Sequence, residues 1–512
     1  MITKIFTVTT LGLKAQKIEV ETGIHPGLPA TVMVGLPDKA VQESRERIKS
    51  SVKQSGFDYP LGKVTINLAP ADIIKSGSSF DLPIAISILK LTGAIKSSID
   101  NQSLFVGELS LDGHLRSVNG VLTLCLWAKE KGYRSIYIPT ANVREAALVS
   151  GISIYGISTL QALVKHLNGD EYLKVVEPIN LKKLTSSSKL DLQDGLLSND
   201  MAYIKGQGVV KRALEIAASG GHNVLLIGEP GSGKTLLARS YPTILPTMTE
   251  KEILDVTQIY SVAGLLKDNV IVTKRPFRSP HHSASHIALV GGGSRLKPGE
   301  ISLSNRGVLF LDEFPEFSRQ SIECLRQPLE DGYVSIARAT GSVTYPSRFY
   351  LIAAANPTPS GYNKPSEDYS KASQSAINRY QSKFSGPILD RIDLQINVNR
   401  VGSNELQDKE LDESSSTIRA RVQESRDIQI QRYRKESFET NSEMSLPMVD
   451  RYCELDSESK KLLAQAVDKF ELSARSYMRV LKVARTIADL SKHDNISKAD
   501  LAESLQYRSK LG

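Results

Sequence analysis

The stretch GEPGSGKT, residues 228–235, constrains the fold of this chain more than any other feature. It fits the pattern G-x-x-x-x-G-K-[ST], follows the apolar run NVLLIG and precedes the helical run LLARS. A strand, a glycine-rich loop and a helix in this order bring backbone N–H groups and the positive end of a helix dipole to one point. The sequence therefore predicts an ATP site on a parallel α/β sheet, and a chance glycine-rich turn is disfavoured by this context.

Each residue of the loop has an expected role. Lys234 is expected to reach the β- and γ-phosphates, and the Thr235 hydroxyl is expected to hold Mg²⁺. The predicted nucleotide contacts are Gly228, Glu229, Pro230, Gly231, Ser232, Gly233, Lys234, Thr235 and Leu236.

The segment LFLDEF, residues 309–314, supplies the second half of the predicted site. Asp312 follows a four-residue apolar strand and is expected to complete the Mg²⁺ shell, while Glu313 orients and polarises the attacking water. Asn356 follows the next apolar run and is placed to contact the γ-phosphate or the water. Its alternative is a turn-forming Asn before Pro357. Transfer of the γ-phosphoryl group also needs an arginine, and Arg391 and Arg475 are the candidates.

Charge, cysteine content and hydropathy restrict the class of protein and its expected compartment. The formal charge of +8 and the pI of about 9.0 favour a polyanionic partner. Three cysteines, Cys125, Cys324 and Cys453, allow neither a disulfide framework nor a CxxC metal site, which indicates a reducing compartment. No signal peptide is readable and no run of about 18 apolar residues occurs. We therefore expect a cytoplasmic protein without a membrane span.

The chain of 512 residues is expected to form about two or three domains. Residues 1–168 mix strands with helices, one of them opening at Asp38 with Val41, Ile48 and Val52 on one face. A polar linker is predicted over 169–200, and strands alternate with helices over 201–400, which predicts a parallel sheet. Residues 401–512 are predicted to be a helical lid. The fold class is therefore α+β followed by α/β.

A hairpin is predicted where an ATPase sheet has no chemical need for one. Residues 331–349, DGYVSIARATGSVTYPSRF, form two β-patterned runs around the tip residues Arg338 to Gly341. The hairpin lies between LFLDEF and LIAAANP. Taken alone, Arg338 would be a solvated turn residue.

Several long motifs resemble one branch of AAA+ ATPases, the branch of magnesium chelatase I subunits and MCM helicases. The similarity is greatest to the YifB/ComM group of magnesium-chelatase-like ATPases and covers nearly the whole chain. It is carried by VGLPDKAVQESRERI, GQGVVKRALEIAASGGHN, RPFRSPHHSASHIALVGGG, PGEISLSNRGVLFLDEFPEF, SGPILDRIDL and LSARSYMRVLKVARTIADL.

The resemblance implies further roles. Asn356 corresponds to sensor 1, Arg391 to the trans-acting arginine finger and Arg475 to the sensor 2 arginine. Gly206 and Gln207 match the turn beside the base. In this branch the hairpin and an insertion in the second helix, here within about 279–299, project into the pore of a ring, about six subunits in number. The implied DNA contacts are Arg338, Thr340, Arg295 and Lys297.

The first block resembles the proteolytic domain of Lon-type proteases, of the ribosomal protein S5 domain 2-like class. Ser79 would lie near the nucleophile position, but the stretch Asn119 to Leu122 places an apolar residue where Lon carries its lysine base. A serine without a base is not a nucleophile. We expect a non-proteolytic module, with Lys129 or Lys131 as the residues that would change this interpretation. His281 and His282 lack further ligands at metal spacing, so zinc is not expected there.

Three functions from different classes follow. The first is an ATP-driven DNA motor of the ComM type, a helicase that promotes branch migration. It would act on single-stranded and branched DNA and promote strand integration by homologous recombination in natural transformation. Recombination proteins are its possible partners. The second is a chelatase-like ATPase that remodels a protein partner. The third, disfavoured by the missing base, is an ATP-dependent protease.

Overall fold

A computed structural model describes residues 2–181, 199–266, 271–293, 296–338, 341–357, 386–407 and 410–508. Along these residues a mixed α/β N-terminal part precedes a parallel sheet with its covering helices, and a group of helices follows. No helix within these ranges is long and apolar enough to cross a membrane.

The N-terminal part contains a four-stranded sheet of order β1-β2-β4-β3 and a three-stranded parallel sheet of order β5-β8-β9. Its strands are β1 (Ile2–Leu11), β2 (Lys14–His25), β3 (Ala30–Val34), β4 (Lys63–Ala69), β5 (Ser103–Phe105), β6 (Glu108–Leu109), β7 (Leu115–Arg116), β8 (Ser135–Pro139) and β9 (Ser153–Ile157). Its helices are α1 (Lys39–Gln54), α2 (Asp81–Leu91), α3 (Val121–Glu130), α4 (Val143–Ala146) and α5 (Leu160–Asn168). The predicted cap is confirmed, because Asp38 accepts a 2.9 Å hydrogen bond from Val41 N at the start of α1.

The central part is built on five parallel strands of order β11-β14-β17-β10-β18, which confirms the predicted parallel sheet. Its strands are β10 (Val224–Gly228), β11 (Phe277–Arg278), β12 (Gly291–Gly292), β13 (Lys297–Pro298), β14 (Val308–Leu311), β15 (Tyr333–Arg338), β16 (Gly341–Pro346), β17 (Tyr350–Ala355) and β18 (Leu394–Val398). Its helices are α6 (Gly208–Gly220), α7 (Lys234–Ser240), α8 (Glu250–Ala263), α9 (His286–Val290), α10 (Glu300–Leu303), α11 (Arg319–Glu323), α12 (Arg326–Asp331) and α13 (Gly386–Leu389). The central strands are buried because helices cover both faces.

The predicted hairpin is present as β15 and β16, which pair with each other outside the five-stranded sheet. A second short pair, β12 and β13, separates α9 from α10, and we call it the helix insert. The two pairs touch, because the Tyr345 hydroxyl in β16 donates a 2.8 Å hydrogen bond to Leu296 O beside β13. The hairpin and the helix insert therefore form one packed unit.

The C-terminal part is helical, as predicted. It consists of α14 (Ser403–Gln407), α15 (Ser415–Arg432), α16 (Leu446–Tyr452), α17 (Ser457–Phe470), α18 (Ala474–Leu490) and α19 (Lys498–Gln506). Ser473 caps α18 through a 3.2 Å hydrogen bond from Ser476 N. Much of the predicted linker, residues 182–198, lies outside the described residues. Ahead of that gap, Val176 N donates to Ile154 O at 2.8 Å, so the chain there still packs on β9.

The N-terminal part shares a hydrophobic core with α8 of the central part. Ile253 and Val256 of α8 pack in one buried cluster with residues of α3, β5 and β8. At the edge of this cluster Glu145 accepts hydrogen bonds from Asn142 Nδ2 at 2.7 Å and from the Ser261 hydroxyl of α8 at 2.5 Å. Burial raises the pKa of Glu145, against these hydrogen bonds, which lower it. The N-terminal and central parts are thus joined by a continuous core and a buried polar contact.

The turn between β1 and β2 touches the hairpin. Gly12 has φ +62°, and a Cβ added there would lie 2.0 Å from Val343 Cγ1 in β16. Leu13 packs against the same cluster as Val343 and Tyr345. The N-terminal part therefore supports one face of the hairpin directly.

We expect Gly12→Ala to destabilise the protein more than Gly56→Ala. Both glycines have positive φ, +62° and +83°, but a Cβ on Gly56 meets nothing within 4 Å. Both variants should lose about 1–2 kcal/mol to backbone strain, and Gly12→Ala should lose about 1–3 kcal/mol more because it overpacks Val343. Denaturant unfolding of the two variants measures the difference. Equal losses would show that the turn does not press on the hairpin.

Candidate nucleotide site

The glycine-rich loop joins β10 to α7 in the predicted strand–loop–helix order. Gly231 and Gly233 have φ values of +78° and +94°, and a Cβ on either would meet nothing within 4 Å. A Cβ on Gly228 would lie 2.3 Å from Val398 O of the neighbouring strand β18. The first glycine thus allows close packing in the sheet, and the other two give the loop its turn and an open side.

Lys234 holds the loop together. Its Nζ donates to Gly228 O at 2.6 Å, to Glu229 O at 2.9 Å and to Asn356 Oδ1 at 3.2 Å. Burial lowers the pKa of Lys234, and the nearby Asp312 carboxylate opposes that shift. The ammonium group thus lies between the loop and the residue predicted to contact the γ-phosphate.

Thr235 and Asp312 form the group that could hold a metal ion. The Thr235 hydroxyl donates a 2.9 Å hydrogen bond to Asp312 Oδ2, and Asp312 Oδ1 accepts from Glu313 N at 3.0 Å. A hydroxyl and a carboxylate oxygen at this spacing are ligands that suit Mg²⁺, which prefers hard oxygen donors. The residues present therefore fit the predicted ion.

The Glu313 carboxylate has a partner that the sequence did not suggest. His282 Nδ1 lies 2.9 Å from Glu313 Oε2. The pair joins the segment before α9 to the end of β14. No local spacing could have indicated it, because the two residues belong to distant motifs.

The remaining residues predicted to contact the nucleotide lie around the loop. Gln207 Nε2 donates to Asn399 O at 2.5 Å and lies 3.5 Å from Ser232 O, so the turn at Gly206 and Gln207 borders the loop. Arg400 Nε lies 3.0 Å from Glu229 Oε2, a contact absent from the predictions. Pro230 lies within the loop, and Leu236 of α7 is exposed.

The two predicted arginines meet at one carboxylate. Glu330, in α12, contacts Arg391 Nη2, and its Oε1 lies 3.5 Å from Arg475 Nη2. The hydrogen bond from Arg391 holds the pKa of Glu330 below its usual value, against the smaller effect of burial. The Arg391 side chain is 2% exposed and that of Arg475 is 59% exposed. Arg475 is therefore open to solvent although it contacts Glu330, whereas Arg391 is buried against the same carboxylate.

Two of the predicted DNA contacts fall on described residues. Arg338 is exposed at the end of β15, and Lys297 is exposed in β13. Arg338 Nη2 would lie 3.7 Å from a Cβ on Gly292, so the arginine borders the helix insert. Arg295 and Thr340 lie outside the described residues.

The sequence predicts that Ser79 lacks a base. Val121 and Leu122, at the position expected for one, are fully buried in the apolar core. Lys131 pairs with Glu130 at 3.3 Å, and Lys129 Nζ lies near Gly151. Lys75, which the sequence reasoning overlooked, is buried and donates to Pro70 O, and burial lowers its pKa. Within the described ranges no lysine hydrogen-bonds the Ser79 hydroxyl.

Comparison with known proteins identifies the family. "Magnesium chelatase, subunit ChlI" matches residues 200–406, "Subunit ChlI of Mg-chelatase" matches 20–142, and "Magnesium chelatase, subunit ChlI C-terminal" matches 412–508. The chain is 41% identical over 506 residues to competence protein ComM of Haemophilus influenzae, an alignment that covers 99% of this chain and 97% of that protein. The chain belongs to the YifB/ComM family of magnesium-chelatase-like proteins.

Two further relatives are informative. The uncharacterized protein YifB of Escherichia coli is 39% identical over 506 residues, which cover 99% of this chain and 96% of that protein. The DNA replication licensing factor MCM4 of Oryza sativa is 30% identical over 198 residues, 36% of this chain and 21% of that protein. The parallel sheet, the glycine-rich loop and the C-terminal helices are consistent with a magnesium-chelatase-like AAA+ fold, and this family implies use of ATP and Mg²⁺.

We expect Lys234→Ala to abolish ATP binding and Glu313→Gln to bind ATP with hydrolysis slowed by about 100-fold or more. The first variant removes the charge predicted to lie beside the phosphates, whereas the second removes only the carboxylate predicted to orient the water. Nucleotide binding and ATP hydrolysis are measured on both proteins. Near-normal turnover by Glu313→Gln would show that the acidic pair has been assigned wrongly.

Proposed function

We propose that this protein is an ATP-driven, ring-shaped DNA motor that binds DNA in a central pore and promotes strand integration by homologous recombination. The observation that carries the proposal is the packed unit of hairpin and helix insert, which leaves the ATPase sheet and presents Arg338 and Lys297 to solvent. Neither pair of strands contributes to the five-stranded sheet. Two basic side chains on such a projection suit contacts to phosphates, which need no base sequence.

Three further facts support a DNA substrate. The formal charge is +8. One relative aligned along the full chain carries the name competence protein, and a second, partial relative is a DNA replication licensing factor. Each fact alone is compatible with other partners, but together they favour nucleic acid over a porphyrin-related protein.

Hydrolysis in this proposal uses residues from both halves of the nucleotide site. Thr235 and Asp312 would hold Mg²⁺, which would neutralise charge on the phosphate oxygens of ATP. Lys234 contacts the same phosphates, and Asn356 orients the γ-phosphate or the water. Glu313 accepts a proton from the attacking water as the water oxygen bonds to the γ-phosphorus and the bond between that phosphorus and the β–γ bridging oxygen breaks, which releases ADP and phosphate.

The arginines complete the site across a subunit boundary. Arg475 is exposed while it contacts Glu330, so a neighbouring subunit can receive it directly. Arg391 pairs with the same carboxylate, and in this proposal it enters the neighbouring site after its ion pair with Glu330 opens. A positive charge supplied in this way is worth about 10³ to 10⁵ in rate. The proposed active site therefore exists only in an assembled ring, with six as the expected number of subunits.

Mixed rings test this arrangement. Arg475→Ala and Arg391→Ala should each hydrolyse ATP poorly alone, and mixing either with Lys234→Ala should recover part of the activity, because each subunit supplies the half that the other lacks. The matched control is a mixture of Lys234→Ala with Glu313→Gln, which lie on the same side of the proposed subunit boundary and should recover none. The ATPase rate of rings that are shown to contain both variants measures this recovery. Absence of recovery with both arginine variants would contradict action in trans.

The DNA contact is tested by salt dependence. We expect Arg338→Ala to weaken binding of single-stranded DNA and to lower the slope of log affinity against log salt by about 0.7 for each phosphate that the protein no longer neutralises. The effect should be similar for different sequences, because phosphate contacts carry no base information. Lys461→Ala, which removes an exposed charge from α17, is the control. An unchanged slope for Arg338→Ala would remove the hairpin from the DNA path.

The ATPase rate with and without single-stranded and branched DNA tests the proposal as a whole, and stimulation is expected.

The family names also support a second candidate, a chelatase-like ATPase that remodels a protein partner. The N-terminal part favours neither the DNA motor nor the chelatase-like ATPase, because the family that matches residues 20–142 is itself named after a chelatase subunit. Absence of stimulation by either DNA would favour that candidate. An ATP-dependent protease is disfavoured by the apolar residues at the base position.

A further inference from the structure

We propose that a pocket beside Trp127, in the N-terminal part, binds an unstacked base of single-stranded DNA. The pocket has a volume of about 330 Å³, within the range of sites that hold small organic ligands. Its walls include Lys17, Asn101, Gln102, Trp127, Lys131 and Tyr133. The inference rests on the proposed function in one respect, namely that DNA is the polymer that supplies the base.

The end of α3 brings two aromatic rings to the pocket. Gly132 follows the helix with φ +74°, and Tyr133 N donates to Ala128 O at 3.0 Å. This hydrogen bond is typical of a helix that ends with a glycine in the left-handed region. The chain thus turns back on the helix, and the Tyr133 ring stacks on Trp127 with centroids 5.6 Å apart and planes 29° apart. Both rings are partly buried and border the pocket.

Packing of the helix end is a competing explanation for the two rings, because an apolar contact often accompanies this kind of turn. A contact made for packing alone, however, leaves few voids larger than a water molecule beside it. Here the rings form one wall of an open pocket, and polar side chains form the others. Asn101 and Gln102 are exposed, and each amide offers both a donor and an acceptor to the edge of a base.

Stacking, more than charge, is expected to supply the affinity of the pocket. Lys17 Nζ lies 3.1 Å from Glu19 Oε1, and Lys131 Nζ lies 3.3 Å from Glu130 Oε1, so each lysine already faces a carboxylate. Such exposed pairs are weak, and a phosphate oxygen can share either lysine. Bases of every kind stack on aromatic side chains. The pocket is therefore expected to accept any base and to prefer single strands, because bases in a duplex stack on each other.

The position of the pocket favours DNA as its ligand. Lys17 lies in β2, four residues after Leu13 in the turn that packs against the hairpin. Four residues of a strand span about 14 Å, and about four nucleotides of a stacked strand cover the same length. A single strand bound at the hairpin therefore passes within a few nucleotides of the pocket.

The experiment uses the full-length protein and its own fluorescence, because Trp127 is the only tryptophan in the chain. The protein is titrated with a thymidine oligonucleotide, with blunt duplex DNA and with thymidine monophosphate, while the anisotropy of a labelled single strand measures affinity. Affinity is also measured for Trp127→Leu and Trp127→Phe. The matched control is Tyr172→Leu, which removes a ring that is 83% exposed outside the pocket. The ATP affinity of each variant reports a folding defect.

We expect single-stranded DNA to quench the fluorescence of Trp127, because a stacked base deactivates the excited indole. Duplex DNA and thymidine monophosphate should change it little at the same nucleotide concentration. Trp127→Leu should bind single strands about 5- to 150-fold more weakly, the range for loss of one stacked base, with an unchanged slope of log affinity against log salt, since no charge is removed. Trp127→Phe should keep most of the affinity, and Tyr172→Leu should bind like the wild type.

Two results would overturn the proposal directly: single strands that bind without quenching, and wild-type affinity in Trp127→Leu. Equal quenching by duplex DNA would contradict a stacked base, and equal quenching by thymidine monophosphate would contradict a polymer as the ligand. Quenching without stimulation of ATP hydrolysis would support the pocket and reject the DNA motor. Stimulation without quenching would support the motor and reject the pocket.

Discussion

The parallel pairing of β10, β14 and β17 is the constraint on which the site depends. Their carboxyl ends meet at one edge of the sheet, so the residues that follow them, the loop from Gly228, Asp312 and Asn356, come together. The side chains along β10 alternate between two separate cores, with Leu226 on one face and Leu225 on the other. A shift of pairing by one residue would exchange these side chains between unlike cores. Packing on both faces thus fixes the register that aligns Lys234 with Asn356 and Thr235 with Asp312.

The N-terminal part acts on this machinery through α8 and the hairpin. Its core continues into α8, and Glu145 hydrogen-bonds Ser261 within that interface. Its first turn presses Gly12 against Val343. These contacts connect the N-terminal part to α8 and to the hairpin, and we expect them to limit the positions that the hairpin can adopt.

Local patterns predicted much of the fold and the segments that meet at the candidate nucleotide site. The glycine-rich loop, the cap at Asp38 and the hairpin around Arg338 are each written within a few consecutive residues, and all three are present. The pairing of His282 with Glu313, the meeting of Arg391 and Arg475 at Glu330, and the docking of the first turn on the hairpin were not predicted. Each joins segments that the fold brings together across tens or hundreds of residues, and no periodicity or motif encodes such a meeting.

The position of Glu330 connects the hairpin to the two arginines that are predicted to act in ATP hydrolysis. Glu330 is the penultimate residue of α12, and β15 begins at Tyr333. The carboxylate that holds Arg391 and Arg475 therefore lies at the base of the hairpin, while Ile336, further along, touches the helix insert. Well-packed elements move as units because cores do not deform continuously. A hairpin displaced as a rigid element is therefore expected to carry Glu330 with it, and this would couple the two proposed catalytic arginines to the position of the hairpin.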